Sequence, residues 1–497
     1  MNILLLYPEY PITYWGFQYA LRFVHRKAAF PPLGLMTIAA MMPDDMYQKR
    51  LIDMNIQPLR DRDLRWADLV MISAMVVQRA SVSDVVARCQ KFGVKIAAGG
   101  PLFSSESESF DDIDYLVLGE GEVTIPRFLS DYQTGKVKHI YKPDRFPDLS
   151  ETPAPRWNLI NIKKYASMNI QYSRGCPFNC EFCDITQLYG HQPRTKSAAQ
   201  VLNELQGLYE TGWRDGVFFV DDNFIGNKKR TMEEILPAIT EWMDTHNRPF
   251  KFITEASINL SDDEKLMDAM VHAGFHQVFI GIETPDEDSL SECNKSQNKN
   301  RDLLACVKKI QSFGLEVQGG FIVGFDNDKI SIFDRMTKFI QESGITTAMV
   351  GLLNAPKGTQ LYQRLVKEGR ISNQFSGSNT DFSLNFVPKM DRKILVEGYQ
   401  NIISKIYSPQ YYYERVIRFL KQYKPDAKAC ERFSAVNIGA FLHSVIRLGI
   451  LGRERRYYWK LLFWSLREKP AMFPSAVRLS IYGYHFRKVF QNNVQLT

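Results

Sequence analysis

From Asn2 onward, short continuous apolar runs alternate with stretches of helical period. Asn2–Tyr7, Arg50–Asp53, Leu69–Ala74, Lys95–Ala98 and Tyr115–Leu118 are apolar runs bounded by turn residues, with helical spacing over Gly34–Met42 and Ala80–Phe92. A continuous apolar run suits a strand buried on both faces, and strand–helix alternation puts such strands in a parallel sheet. Residues 1–140 therefore predict a doubly wound, Rossmann-like α/β domain with its ligand at the carboxyl ends of the strands. Residues 141–165 are proline-rich and aperiodic and read as a linker. The alternation resumes with strands at 169–173, 217–221, 251–255, 277–282, 317–323 and 347–353. These six βα units, within residues 166–370, predict an incomplete (βα)6 barrel. Beyond it the period is helical, as in Val416, Phe419, Leu420 and Tyr423 at i, i+3, i+4 and i+7. Residues 371–497 thus predict a helical C-terminal domain, entered through a polar stretch, Ser376 to Ser383, that reads as a boundary or lid.

Polar and glycine residues collect where the strands end. In the first domain these are Pro31-Pro32-Leu33-Gly34, Gly99-Gly100-Pro101 and Gly119-Glu120-Gly121-Glu122, with Ser73, Met75 and Gln78 after the third strand. Glycine lets backbone approach a ligand closely, although any flavodoxin-like domain has such loops. In the barrel the strand ends carry Asp221, Asp222 and Asn223, then Glu255, Glu283, Gly320 and Asn354. One acidic residue at such a place is more often a helix cap; recurrence at successive strands points to a ligand site.

One loop carries distinctive chemistry. Cys176, Cys180 and Cys183 have the spacing C-x3-C-x2-C directly after the strand-like run Met168–Tyr172. Thiolates are the usual protein ligands of iron–sulfur clusters, and a closed cubane takes four of them. With no fourth cysteine nearby, one iron keeps an open site for a substrate or cofactor. The spacing misses the zinc patterns, and His191, which would complete a Cys3His zinc site, is the bland alternative. Cys89, Cys293, Cys306 and Cys430 are isolated. Cys306 shares a helix with Leu303, Leu304 and Ile310 and reads as core, while Cys293 follows the fourth barrel strand closely enough to approach the site.

Cys176, Cys180, Phe182 and Cys183 match the C-x3-C-x-aromatic-C signature of radical S-adenosylmethionine (SAM) enzymes, which this chain resembles. The resemblance implies a [4Fe–4S] cluster on the three cysteines. It also implies SAM on its open iron, a 5′-deoxyadenosyl radical, and SAM contacts from Phe182, Asp222, Asn223, Glu255, Glu283, Gly320 and Asn354. Asp222 and Asn223 would meet the methionine ammonium, Glu283 the ribose, and Gly320 the adenine. The domain ahead of the core resembles the cobalamin-binding domain of the cobalamin-dependent (class B) group. That implies cobalamin contacts from Asp53, Asn55, Ser73, Met75, Gln78, Gly99, Gly100, Gly119, Glu120 and Gly121. The chain departs from D-x-H-x-x-G in one respect: Asn55 stands where the cobalt-ligating His would be. The whole layout resembles the subgroup that includes the hopanoid C-2 methylase. It implies methylation of an unactivated carbon of a lipid-like substrate, with methylcobalamin as donor and a flavodoxin or ferredoxin as electron source. Radical cyclisation, rearrangement or C–C coupling without methyl transfer is the alternative, and a cluster-bearing redox or sensor protein leaves the polar strand ends unexplained.

Composition adds little except in the charge. The chain is 45% hydrophobic and 24% charged, without low-complexity tracts. The odd cysteine count fits a reducing compartment, and neither a signal peptide nor a membrane span is expected, so the expected location is cytoplasmic. From Asp391 onward, however, 19 Lys and Arg face 7 Asp and Glu, a local charge of +12 against −5 for the rest. Arg453, Arg455, Arg456 and Lys460 sit among Tyr457, Tyr458, Trp459, Phe463 and Trp464. This mixture suits peripheral contact with a membrane or a groove for a lipid-like molecule, besides a packed helix with a solvated basic edge. No RNA-binding pattern accompanies it, and nucleic acid is not expected as a partner.

Overall fold

The computed structural model describes residues 1–425 and 435–494; Cys430 lies outside the described residues. The first apolar runs form β1 (Asn2–Tyr7), β2 (Gln48–Asp53), β3 (Leu69–Ser73), β4 (Lys95–Gly99) and β5 (Tyr115–Val117). A two-residue strand that the sequence pattern does not show, β6 (Ile140–Tyr141), straddles the expected start of the linker. All six pair in parallel in the order β2-β1-β3-β4-β5-β6. The expected helices are present at Leu33–Ala40 and Arg79–Lys91. Alternate residues serve two cores: Leu4 and Leu6 pack under one face of the sheet, whereas Ile3 and Leu5 join the core of the rest of the molecule. The strand order reverses between β1 and β3, which opens a crevice at their carboxyl ends.

A short antiparallel pair, β8 (Ser173–Arg174) and β9 (Arg194–Thr195), brackets the cysteine loop. The second large sheet comprises β7 (Met168–Ile170), β10 (Gly216–Phe219), β11 (Lys251–Ala256), β12 (Phe275–Glu283), β13 (Glu316–Val323) and β14 (Ala348–Leu352). Its order, β14-β13-β12-β11-β10-β7, is parallel throughout and open between β7 and β14, as the six βα units predict.

The C-terminal part is helical, at Arg392–Ile406, Pro409–Gln422, Ala435–Ser444, Arg455–Glu468 and Phe473–Val494. Val416, Phe419 and Leu420 are buried, as their spacing predicts. The Tyr399 and Tyr407 hydroxyls donate to the Val350 and Ala348 carbonyls (3.0 and 2.7 Å), so side chains cap the free edge of β14. Tyr14 stacks on Phe486 (4.3 Å between centroids) and ties the chain after β1 to the last helix. No helix among the described residues is long and apolar enough to cross a membrane.

Candidate active site

The cysteine loop is held from several sides by protein groups. The Glu181 carboxylate takes two bonds from Arg364 (2.6 and 3.0 Å), and the Glu181 carbonyl accepts from the Leu361 amide (2.9 Å). The Glu181 amide donates to the Cys293 carbonyl (3.0 Å), so Cys293 does approach the loop, although its buried thiol faces Leu290. Asp222, at the end of β10, accepts from the Gly175 amide (3.0 Å) and sets the start of the loop. Cys180 is buried, and Cys176 and Cys183 are half-buried. Burial pushes the Cys176 and Cys183 thiols up, a cost that coordination reverses because a metal-bound thiol is deprotonated outright. Among the described residues no group of three or more His, Cys, Asp or Glu converges on a single ion position. His191 is exposed. A cubane would take each of the three thiols at a different iron.

The loop opens on a cavity of about 1880 Å³, lined at this end by Phe182, Cys183 and Asp184. That exceeds the ~300–1,000 Å³ typical of a site for one small ligand, so several molecules fit at once. Phe218, Ile253, Phe279, Ile322 and Met349 project into it from the barrel strands. Gly320 makes room for one of them: a Cβ there would sit 2.8 Å from the Phe279 ring. Unlike a closed eight-stranded barrel, whose interior side chains fill it, this barrel is hollow and apolar.

Acidic groups stand at the carboxyl ends of the strands, as expected. A register shift at the end of β12 and a left-handed backbone at Glu283 (φ 62°) turn its carboxylate into the cavity. There it meets the buried Lys295 ammonium at 2.7 Å. Burial alone would lower Lys295, but the Glu283 carboxylate beside it outweighs this and holds it charged. Glu255 also lines the cavity, and its carboxylate has no hydrogen-bond partner among the described residues. Burial, then the charges of Asp222 and Asp221, push it up to about 8. A half-buried carboxylate that faces the cavity without a hydrogen-bond partner suits a cationic or hydroxyl-bearing ligand. Between its ordinary 4.5 and about 8, the folded state keeps a proton that the unfolded state has lost, so stability falls as pH rises through that window. Glu255→Gln should therefore raise the melting temperature of the cofactor-free protein at pH ~8 by roughly 2 °C or more and leave it unchanged at pH ~4. Scanning calorimetry at the two pH values measures this.

Asp222 and Asn223 do not line the cavity. Asp222 holds Gly175, and Asn223 exchanges bonds with Ser257 (3.2 and 3.3 Å) at the end of β11. Asp221 accepts from the Tyr172 amide and Ser173 hydroxyl (2.8 and 3.0 Å). Asn354 does line the cavity while bonding to Ser383 and Asn385, at 3.2 and 3.1 Å. The polar stretch expected as a lid lies over the same space. Ser378, Asn379 and Thr380 line it, and a Cβ on Gly377 would sit 2.6 Å from the Val77 amide.

The first domain supplies the opposite wall through Met75, Val76, Val77 and Pro101, from the loops after β3 and β4. Met75 is 44% exposed. Its neighbours hold the loop: Gln78 bonds the Met75 amide (2.8 Å) and the Pro8 carbonyl (2.5 Å). Ser73 packs against Gly100, where φ is 92° and a Cβ would lie 2.7 Å from the Ser73 hydroxyl. Gly99 is similarly close-packed: a Cβ there would lie 2.6 Å from the Val117 carbonyl oxygen. Asn55 is already engaged, since its carboxamide meets the Tyr10 amide (2.8 Å), the Asp53 carboxylate (2.7 Å) and the Pro8 carbonyl (3.3 Å). Asp53 is buried and also accepts from Tyr165 (2.9 Å). The loop Gly119-Glu120-Gly121-Glu122 reaches the other domain instead of the cavity. Glu120 binds Arg174 and Arg194 (both 2.6 Å), and Glu122 binds Arg174 (2.8 Å).

Three features of the site escape a reading of the sequence. The first is the aromatic segment after β1, whose Trp15 lies edge-on to Phe279 (5.5 Å) and whose Phe30 contacts Phe218 (5.3 Å). Its density of aromatic residues from Tyr10 to Phe17 is the signal that could have found it. The others are Lys295 and the Arg174 clamp, charges whose partners are remote in sequence. The residues present fit the three groups: three thiols in one loop for a cluster, an unpartnered carboxylate in the cavity for SAM, and an open crevice wall at the β1/β3 switch for cobalamin.

Comparison with known proteins agrees. The B12 binding domain matches residues 21–129, the Radical SAM superfamily residues 170–340, and a domain of unknown function (DUF4070) residues 359–496. The chain is 39% identical to uncharacterized methyltransferase sll1242 of Synechocystis sp., covering 98% of this chain and 91% of that protein. It is 33% identical to the hopanoid C-2 methylase of Rhodopseudomonas palustris, covering 92% and 88%. The cobalamin-dependent SAM radical enzyme OxsB, solved with aqua-cobalamin and SAM, shares the fold at a TM-score of 0.62 and 14% identity, over 99% of this chain and 80% of that one. The chain is an enzyme of the cobalamin-dependent radical SAM methyltransferase family, whose cofactors are a [4Fe–4S] cluster, SAM and cobalamin.

Proposed function

We propose that this enzyme methylates an unactivated carbon of a lipid-like, polycyclic substrate. The observation that carries the reading is the hollow apolar barrel, which leads from the cysteine loop past the first domain's wall to the C-terminal helices. The relative whose name specifies hopanoid methylation points the same way. When bound, the cluster with SAM supplies one-electron chemistry that removes a substrate hydrogen atom, and cobalamin supplies the methyl group.

Each residue then has a task. Cys176, Cys180 and Cys183 hold the cluster. Glu255 and Glu283 meet the polar groups of SAM, Gly320 lets the Phe279 ring lie against its strand where the adenine would stack, and Asp222 and Asn223 act by fixing the loop and strand ends. Asn55 is committed to the backbone around Pro8 and Tyr10, so cobalamin binds without a protein ligand from that position, against the wall around Met75. Aromatic walls exclude water from the place where target carbon, SAM and cobalamin meet. Residues 1–140 would thus carry cobalamin, 166–370 the cluster and SAM, and 371–497 the substrate side. A flavodoxin or ferredoxin supplies electrons, and the protein works in the cytoplasm, in peripheral contact with a membrane.

Anaerobic reconstitution with iron, sulfide and hydroxocobalamin tests the reading. A retained corrin spectrum, with S-adenosylhomocysteine formed alongside 5′-deoxyadenosine, is expected; deoxyadenosine alone would favour radical chemistry without methyl transfer. Met349→Trp, which fills the barrel below the cofactors, should lower methylated product about a hundredfold while 5′-deoxyadenosine still forms. Product analysis by mass spectrometry separates the two.

A further inference from the structure

The helix Ala435–Ser444 continues as the π-helix Val445–Ile450 and has two unlike faces. One face, with Asn437, Ala440 and Phe441, lines the far end of the cavity together with Phe473 and Val477 of the last helix. Asn437 is both exposed and part of the lining, which places a mouth of the cavity at this helix. On the adjacent face Ile438, Leu442, Ile446 and Ile450 recur every four residues, followed by Leu451, and each is more than half exposed.

The next helix extends this surface. Trp459 donates to the Gly449 carbonyl (3.0 Å) and stacks on Phe463 (5.7 Å), which is 65% exposed, with Leu466 one turn further. Lys460 and Arg467 flank Phe463 on the same helical face, and Arg453, Arg455 and Arg456 stand exposed at the start of the helix. Of the nearby acidic groups, Glu454 is taken by Arg487 (2.8 Å) and Glu468 pairs with Arg467 (3.3 Å), which leaves Arg453, Arg455, Arg456 and Lys460 as the cations of this edge. An unbroken apolar stripe edged by cations is the pattern of a helix lying in a bilayer interface, with apolar side chains at the acyl boundary and cations among phosphates. Buried packing accounts for Tyr458, Leu461 and Leu462 but leaves these exposed positions unexplained.

We infer that helix 435–450 and the helix after it dock on an anionic phospholipid surface, holding the Asn437 mouth of the cavity against the bilayer. The inference rests on the lipid-like reading of the substrate and adds a route: a molecule dissolved in the membrane enters the barrel from below, opposite the cofactors.

The test uses the reconstituted holoenzyme and vesicles of phosphatidylcholine alone or mixed with phosphatidylglycerol. Co-sedimentation should show at least ~10-fold tighter binding to the mixed vesicles, weakening with salt. Ile446→Glu/Ile450→Glu and Arg455→Gln/Arg456→Gln/Lys460→Gln should each lose ~10-fold or more of that binding, with cluster and corrin absorbance and SAM cleavage intact. Equal binding to both vesicles, or variants that bind like the parent, would overturn the inference. So would a dimer in solution that Ile446→Glu dissolves, because a second copy would then cover the stripe. Vesicle binding and methyl transfer are read separately: docking with no S-adenosylhomocysteine removes the methylase reading alone, and methyl transfer without docking removes this inference alone.

Discussion

Cys183→Ala abolishes cluster assembly and SAM cleavage while the protein stays folded. Protein contacts anchor the loop, since Glu181 is bonded to Arg364, Leu361 and Cys293 from three directions. Removing one thiolate of three leaves the cubane two protein ligands, and the iron that should stay open for SAM is no longer defined. Cys176→Ala and Cys180→Ala should behave alike. Cys306→Ala, on the helix Leu303–Ser312, serves as the control and should keep full cluster absorbance. Iron and sulfide content, the cluster spectrum and 5′-deoxyadenosine yield measure the effect, and circular dichroism confirms the fold. A Cys183→Ala protein that still cleaved SAM would remove the cluster assignment.

The second large effect is expected at Arg174, the residue two positions before Cys176. Its guanidinium joins the two domains by pairing with Glu120 and Glu122, all three being largely buried. Burial would raise Glu122, but the Arg174 charge, its bonds and the Thr152 hydroxyl hold it at about 2. Arg174→Met leaves Glu122 buried without its cation and should destabilise the protein by ~3–5 kcal/mol, the usual cost of breaking a buried pair from one side. The sign of the pH dependence follows. Glu122 contributes stability that is present above its ordinary 4.5 and is lost as pH falls toward about 2. Arg174→Met should lose this part of the acid sensitivity, because Glu122 then has no depressed value to give up. Urea unfolding at pH ~7 and pH ~3 provides the measurement; equal stability of variant and parent at pH ~7 would show that the clamp is not structural.

Asn55 and Glu120 show what motif position can and cannot convey. Both occupy places where the family pattern suggests a cobalamin contact, yet each is committed elsewhere, Asn55 to the backbone around Pro8 and Tyr10 and Glu120 to two arginines. Position along a strand end is local and therefore legible in sequence. The direction in which a side chain turns depends on partners tens of residues away. Asp222 and Asn223 illustrate the same point from the barrel, standing at the expected strand end but holding Gly175 and Ser257 instead of facing the cavity. Glu283 is the opposite case, turned inward by a bulge that pairing with β13 creates.

The sequence by itself determined the strand–helix alternation, both parallel sheets, the helical C-terminus and the cysteine loop. Those follow from burial on two faces, from helical periodicity and from a short-range thiolate spacing, all of which act over a few residues. Only the tertiary structure decided that the barrel is hollow, that residues 10–30 wall it, and that its mouth lies beside an exposed apolar stripe. Each of these depends on which side chains meet across distant segments: Phe279 needs the space at Gly320, Trp15 needs Phe279, and Ile446 is exposed because no other described segment covers it. Apolar periodicity marks a face to be covered, and only the folded chain shows which faces the protein covers itself.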